Sequence, residues 1–94
     1  MRLTFVLVAD LPPGGAPAFS RYEAAVLPLL ARHGGRLERR LRTDDGLCEV
    51  HVVSFDSREG YDGYLADEQR RRARTLLDGV DVAQRLLEVR DVED

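Results

Sequence analysis

The stretch LERRLRTDDGLCEVHVVSF, Leu37 to Phe55, decides the fold. Its first part alternates, with Leu37, Arg39 and Leu41 set between Glu38, Arg40 and Arg42, the period of a strand with one charged face. Asp44-Asp45-Gly46 is a turn signal, and CEVHVVSF (Cys48 to Phe55) is a second, more apolar run of β-favouring residues. Two such runs joined by a short turn predict a β-hairpin.

Outward from the hairpin the period changes. On its N-terminal side Phe19, Tyr22, Val26, Leu29 and Leu30 recur at spacings of three and four, which predicts an amphipathic helix. Pro17 suits its first turn, and Ser20 with Glu23 offers a rival capping-box start. Pro28 should kink the helix, and Gly34-Gly35 should end it. On the C-terminal side Ser57 is a candidate N-cap for a short helix carrying Tyr61, Tyr64 and Leu65. Asp67 is placed to cap a further helical stretch, EQRRRARTLL, that ends at Gly79. The outermost runs are RLTFVLVA (2–9), closed by Asp10 and a Pro-Pro-Gly-Gly turn, and Gln84 to Val92. Both predict strands. The order β-α-β-β-α-β, with no linker or low-complexity segment, predicts a ferredoxin-like α+β fold with an antiparallel sheet, one domain over residues 1–94. Both helices of such a unit lie on one face of the sheet. The other face is bare, and a second copy is the simplest cover for it.

Composition narrows the function classes. Fourteen basic and 17 acidic residues leave a net charge of −3, which argues against a general nucleic-acid binder. Every basic residue is Arg, so lysine Schiff-base chemistry is excluded. One Cys rules out an internal disulfide framework, and with two His it makes no zinc cluster, so no metal is expected. No apolar run approaches the roughly 20 residues of a membrane span and no signal peptide is read, which predicts a cytoplasmic protein without a membrane partner.

The tract YEAAVLPLLARHGGRLERR (Tyr22 to Arg40), with EVHVVSF, SREGYDGYLAD (Ser57 to Asp67) and a closing strand, resembles the dimeric α/β-barrel superfamily. Within it the likeness is to the branch known as domain of unknown function 1330. The resemblance implies two ferredoxin-like subunits packed sheet to sheet into a barrel. Relatives include cofactor-free monooxygenases of antibiotic biosynthesis, haem-degrading enzymes, lactone isomerases and stress-induced proteins. The haem-degrading branch relies on an Asn, a Trp and a His, and this chain has neither Asn nor Trp, which argues against that branch; no cofactor is expected.

His51 is the first candidate for chemistry. Strict alternation puts it on one face of its strand with Glu49, Val53 and Phe55, while Val50 and Val52 form an aliphatic face suited to packing under helices. The His51 face is therefore expected to look toward the bare side, the barrel interior. Thr4, Glu38, Arg40, Glu88 and Arg90 fall on the polar faces of their strands and, with Glu49, would line a small-molecule cavity there. His51 would act as general base and an Arg would hold an anion. The bland alternative makes the same residues salt bridges between two sheets. His33 is expected to cap a helix end, the three Tyr to pack in the core, Cys48 to be an inert thiol, and Arg70, Arg71, Arg72 and Arg74 to form a solvated face.

Exposure of Val6, Val8, Val53 and Phe55 on one bare face would make an apolar patch that a homodimer would cover. The leading expectation is a small dimeric α/β-barrel protein binding a small molecule in or beside the barrel. Its alternatives are a cofactor-free monooxygenase, isomerase or cyclase acting on an aromatic or polyketide-like substrate with His51 as base, or a purely structural or stress-related dimer.

Overall fold

The apolar run near the start of the chain forms β1 (Leu3–Asp10), and the predicted hairpin forms β2 (Gly35–Arg42) and β3 (Cys48–Phe55). The structure, a computed structural model, describes residues 2–93. The hairpin turn is held by Asp45, whose Oδ1 accepts from the Leu47 amide at 2.9 Å and the Thr43 hydroxyl at 2.7 Å. Gly46 takes the left-handed conformation (φ 73°) that the turn needs. A closing strand β4 (Ala83–Val89) pairs antiparallel to β1, and the sheet runs β2-β3-β1-β4. That is the strand order of a ferredoxin-like α+β fold.

Helix α1 (Ala16–Val26) starts at Ala16, with Gly15 at its N-cap and Pro17 in its first turn, so the Ser20–Glu23 start is not used. At Pro28 the chain tightens into a 3₁₀ stretch, Leu27–His33, which is how the expected kink is realised. Gly34 closes it in the left-handed conformation. The second helical layer is α2 (Arg58–Ala66), capped by the Ser57 hydroxyl, and α3 (Glu68–Ala73), capped by the Asp67 carboxylate; a 3₁₀ turn, Arg74–Leu77, follows. Both caps were legible in the sequence.

The sheet face that meets the helices differs from expectation. Leu3, Phe5 and Ala9 of β1 pair with Phe55, Val53 and Glu49 of β3, and Leu7 pairs with His51. Phe5 stacks on Tyr61 at 4.2 Å between ring centroids, and Phe55 meets Tyr61 and Tyr64 edge-on or tilted. His51, Glu49, Val53 and Phe55 therefore lie under the helices, not on the open side. Val6, Val8, Val50 and Val52 occupy the open face, joined by the exposed Leu41, Leu87 and Val89. Aromatic rings bury more area than valines, so Phe5 and Phe55 claim the helix layer and alternation carries the rest.

A bulge sets the same outcome in β2. Leu37 pairs with Val53 but Arg39 pairs with Val52, so Glu38 is the extra residue. Leu37 turns in against Leu3, Phe5, Leu30 and Phe55, whereas Arg39 and Leu41 turn out. Arg40 and Arg42 then share the inner face with His51 and Glu49.

Gly60 fixes how closely α2 approaches the 3₁₀ stretch, since a Cβ there would sit 2.2 Å from the His33 carbonyl oxygen. Gly60→Ala should therefore destabilise the fold by about 1–3 kcal/mol, although alanine favours a free helix by about 1 kcal/mol. Urea denaturation checks it; a stabilised variant would contradict this packing.

Candidate functional site

A cavity of about 290 Å³ opens between the helices and the inner face of the sheet. Its walls draw on both apolar clusters of the core, Tyr22 and Val26 from one, Phe5, Leu30 and Phe55 from the other. Leu65 of α2 and Leu86 of β4 line it while remaining 38% and 46% exposed, and they form its rim. The polar groups that reach it are Glu23, His51, Tyr22, Tyr61, Tyr64, Arg70 and Gln84. An apolar chamber with a few convergent polar groups is the ordinary form of a small-molecule site.

Its chemistry is organised around Glu49, whose side chain is fully buried. Arg40 donates to it through Nε at 2.8 Å and Nη2 at 3.4 Å, and Arg42 through Nε at 2.8 Å and a second guanidinium nitrogen. His51 Nε2 lies 2.8 Å from Glu49 Oε1. Burial pushes the Glu49 carboxyl upward, but the hydrogen bonds from Arg40, His51 and Arg42 outweigh it and hold it down at about 2. An ionised carboxylate only accepts, so the His51 nitrogen facing it carries the hydrogen. Nδ1 faces the other way, 3.6 Å from Glu23 Oε2.

Glu23 has the opposite environment. It is 3% exposed and burial raises its carboxyl to about 7; Arg40 opposes the rise, Glu49 adds to it and Arg70 opposes it. At neutral pH the His51 imidazole thus stands between an ionised carboxylate and one close to half-protonation. Tyr64 is pushed above the usual phenol range by burial, with Arg70 beside it acting in the opposite sense.

Of the residues predicted for the site, the structure brings His51, Glu49 and Arg40 together. Thr4 lies on the open face, paired with Ser54 and Val89. Glu38 accepts from the Ser54 hydroxyl at 2.7 Å and lies 4.0 Å from Arg2. Glu88 is tied to Arg58 at 2.8 Å, and Arg90 follows the end of β4. Thr4 is on the opposite face from His51, Glu38 is displaced by the bulge, and Glu88 and Arg90 lie toward the far end of β4, past Leu86, which lies level with His51 across β1. His33 does more than face a helix terminus: its Nε2 is 2.7 Å from Asp67 Oδ2, the same carboxylate that caps α3 and receives Arg32 at 3.1 Å. Sequence reasoning missed Glu23 and Arg70. Glu23 sits within the apolar stripe Phe19, Tyr22, Val26, and that placement was the available signal. Among the described residues no three His, Cys, Asp or Glu side chains are grouped to hold a metal ion, and no helix is long and apolar enough to cross a membrane.

No protein-family model matches the chain, and no curated protein sequence matches it. Solved structures do. A protein of unknown function from Rhodopseudomonas palustris, RPA0582, superposes with a TM-score of 0.78 at 16% identity, covering 99% of this chain and 84% of its own. A Nitrosomonas europaea protein with the provisional name antibiotic biosynthesis monooxygenase gives 0.77 at 12%, covering 94% and 88%. SnoaB, a cofactor-independent oxygenase from Streptomyces nogalater, gives 0.72 at 20%, covering 97% and 95%. The shared property is the fold.

The two carboxylates make opposite contributions to stability. A group whose native pKa is raised keeps its proton when the unfolded chain has lost it, so stability falls as pH rises between the two values. For Glu23 that window runs from 4.5 to about 7, and crossing it costs about 3 kcal/mol. Glu23→Gln should remove this loss, making the variant more stable than the parent at alkaline pH and no more stable in mild acid. Denaturation midpoints measured across the window check it; parallel profiles would exclude a buried proton at Glu23.

Proposed function

We propose that this protein binds a planar, mainly apolar small molecule in the cavity beneath its helices and performs acid–base chemistry on it with His51 and Glu23. The observation that carries the reading is the His51 arrangement. Glu49 fixes one ring nitrogen as the donor, which leaves Nδ1 as the lone pair beside the cavity. His51 would take a proton from an acidic C–H or O–H of the ligand, and the imidazolium formed would be held by the Glu49 carboxylate. Glu23, whose carboxyl is raised to about 7 and so exchanges its proton near neutrality, is the matching acid. The two carboxylates flanking the ring differ widely in proton affinity, Glu49 held at about 2 and Glu23 raised to about 7, so an ionised and a proton-bearing partner meet at one imidazole.

The likeness to SnoaB supports a cofactor-free oxygenase, isomerase or cyclase of an aromatic or polyketide-like compound. In such chemistry the enzyme's part is to make the electron-rich anion of the substrate in a dry site. A purely structural dimer is disfavoured by the cavity, since side chains would otherwise fill it. The finer likeness to the branch known as domain of unknown function 1330 rests on the Tyr22–Arg40 and Ser57–Asp67 tracts, and that branch is compatible with the same site. Cytoplasmic residence belongs to this reading and would keep the single thiol, Cys48, reduced.

The test is solvent-deuterium exchange at the acidic carbon of a cyclic 1,3-diketone or hydroxyaromatic probe. The protein should accelerate exchange above buffer, and His51→Ala should remove the acceleration while the fold persists. Undiminished exchange in His51→Ala would remove it from the mechanism. His51→Ala should also lower stability by about 1–3 kcal/mol, because Glu49 loses a buried partner.

We also propose that the chain is a homodimer through the open sheet face. Val6, Val8, Val50 and Val52 lie side by side there, flanked by Leu41, Leu87 and Val89 at 42%, 43% and 37% exposure. A contiguous apolar patch across three or four strands is rare on a monomer and self-complementary under a twofold axis. Sedimentation should give about twice the 10.6 kDa chain mass, and Val52→Glu should give a folded monomer. A parent chain that sediments as a monomer at micromolar concentration would overturn this interface.

A further inference from the structure

Among the charged side chains that line the cavity, Arg70 stands outside the His51–Glu23 pair. The sequence places it in a run with Arg71, Arg72 and Arg74, all of which are exposed, but Arg70 is turned inward. Its guanidinium carbon lies 4.8 Å from the centroid of the Tyr64 ring, which holds it against the cavity wall. Its Nε is buried and has no hydrogen-bond partner among the described residues. The comparison with other arginines is informative. Arg40 and Arg42 share Glu49, Arg32 meets Asp67, Arg58 meets Glu88, and the half-buried Arg36 meets Asp56 at 2.9 Å. Arg70 is half-buried as well, yet among the described residues it forms no ion pair. Glu23, the acidic group within its field, has its carboxyl raised by burial to about 7 and is only partly ionised at neutral pH.

A half-buried guanidinium on a cavity wall with no carboxylate paired to it is costly to keep charged unless an anion in the cavity balances it. We propose that Arg70 receives a carboxylate of the bound molecule, so that the ligand class is a planar, apolar body bearing one carboxylate. The guanidinium fork matches a carboxylate in shape as well as charge. The cavity volume of about 290 Å³, at the small end of ligand sites, suits a body of two or three fused rings. The aromatic walls Phe5, Phe55 and Tyr61 would face the rings, and Arg70 would take the acidic end near the α3 side of the chamber. This assignment rests on the cavity being a small-molecule site, and it adds the charge that the ligand must carry.

The experiment uses the full chain and two probes of nearly equal shape, 2-naphthoate and its neutral amide, 2-naphthamide, each titrated by calorimetry or ligand-observed NMR. The carboxylate should bind at least about tenfold more tightly than the amide. Arg70→Gln should abolish that preference while leaving amide binding within about twofold, and Arg70→Lys should restore part of it. Amide binding by Arg70→Gln reports that the cavity is still formed. Equal affinity of the two probes for the parent chain, or a preference unchanged in Arg70→Gln, would overturn the role of Arg70 while leaving the cavity as a binding site. If neither probe binds and no chemical shifts move at the cavity, the binding reading itself fails, and the Arg70 assignment fails with it.

Discussion

One buried ionised carboxylate organises this molecule. Glu49 is fully removed from water, and it stays charged because Arg40, Arg42 and His51 surround it. Removing a charge from water is expensive enough that its partners must be built in, and here they come from neighbouring strand positions. Arg40 and Arg42 reach it only because the Glu38 bulge turns the second half of β2 inward. Without the extra residue, Leu37, Arg40 and Arg42 could not share one face. The bulge therefore lets one strand seal the hydrophobic cluster at its start and hold a carboxylate at its end.

From Glu49 the constraint passes to His51 and then to Glu23. The first carboxylate is held at about 2 and the second at about 7, with the imidazole between them. Glu49 stabilises the native state once pH exceeds its unfolded value near 4.5, and that contribution is lost as pH falls toward 2. Glu23 acts in reverse, withdrawing stability as pH rises from 4.5 toward 7. From these two groups alone the fold is most stable near pH 4.5, on the acid side of neutrality. Glu23 withdraws stability at neutral pH, and a buried carboxyl with a strongly raised pKa beside a cavity marks a candidate site with a stated physical cause.

The hairpin, the element order and the caps at Ser57 and Asp67 were legible because each depends on residues close in sequence. The facing of the sheet was not. Polarity along β3 suggests that Glu49 and His51 avoid the helices, and a strand-by-strand reading has no means of knowing that two arginines await them inside. That knowledge needs the bulge, and Leu37–Glu38–Arg39 carries no glycine or turn residue to announce it. Glu23 was concealed in another way. With Ser20 it fits a capping box, yet the helix starts earlier, at Ala16, and the Ser20 hydroxyl instead accepts from Arg42 at 2.8 Å. Arg70 was hidden by its neighbours, since a run of arginines reads as a solvated surface and only the helix phase relative to Tyr64 separates one from the rest.

The alternation of β3 lets the proposed assembly face and the proposed site share one strand. Val50 and Val52 point to the open face, and Glu49 and His51 point to the inner face, where His51 lines the cavity. A single strand thus carries both surfaces, with its backbone as the wall between them. β1 repeats the arrangement, setting Val6 and Val8 outward against Phe5 and Leu7 inward. Because the pleat has a period of two, the register of β1 and β3 cannot slip by one residue without exchanging the two surfaces wholesale. Such a slip would expose Phe5, Phe55 and the Glu49 charge cluster together while burying valines under the helices. Correct register, a dry site around His51 and an apolar outer face are therefore one structural condition, met or lost as a unit.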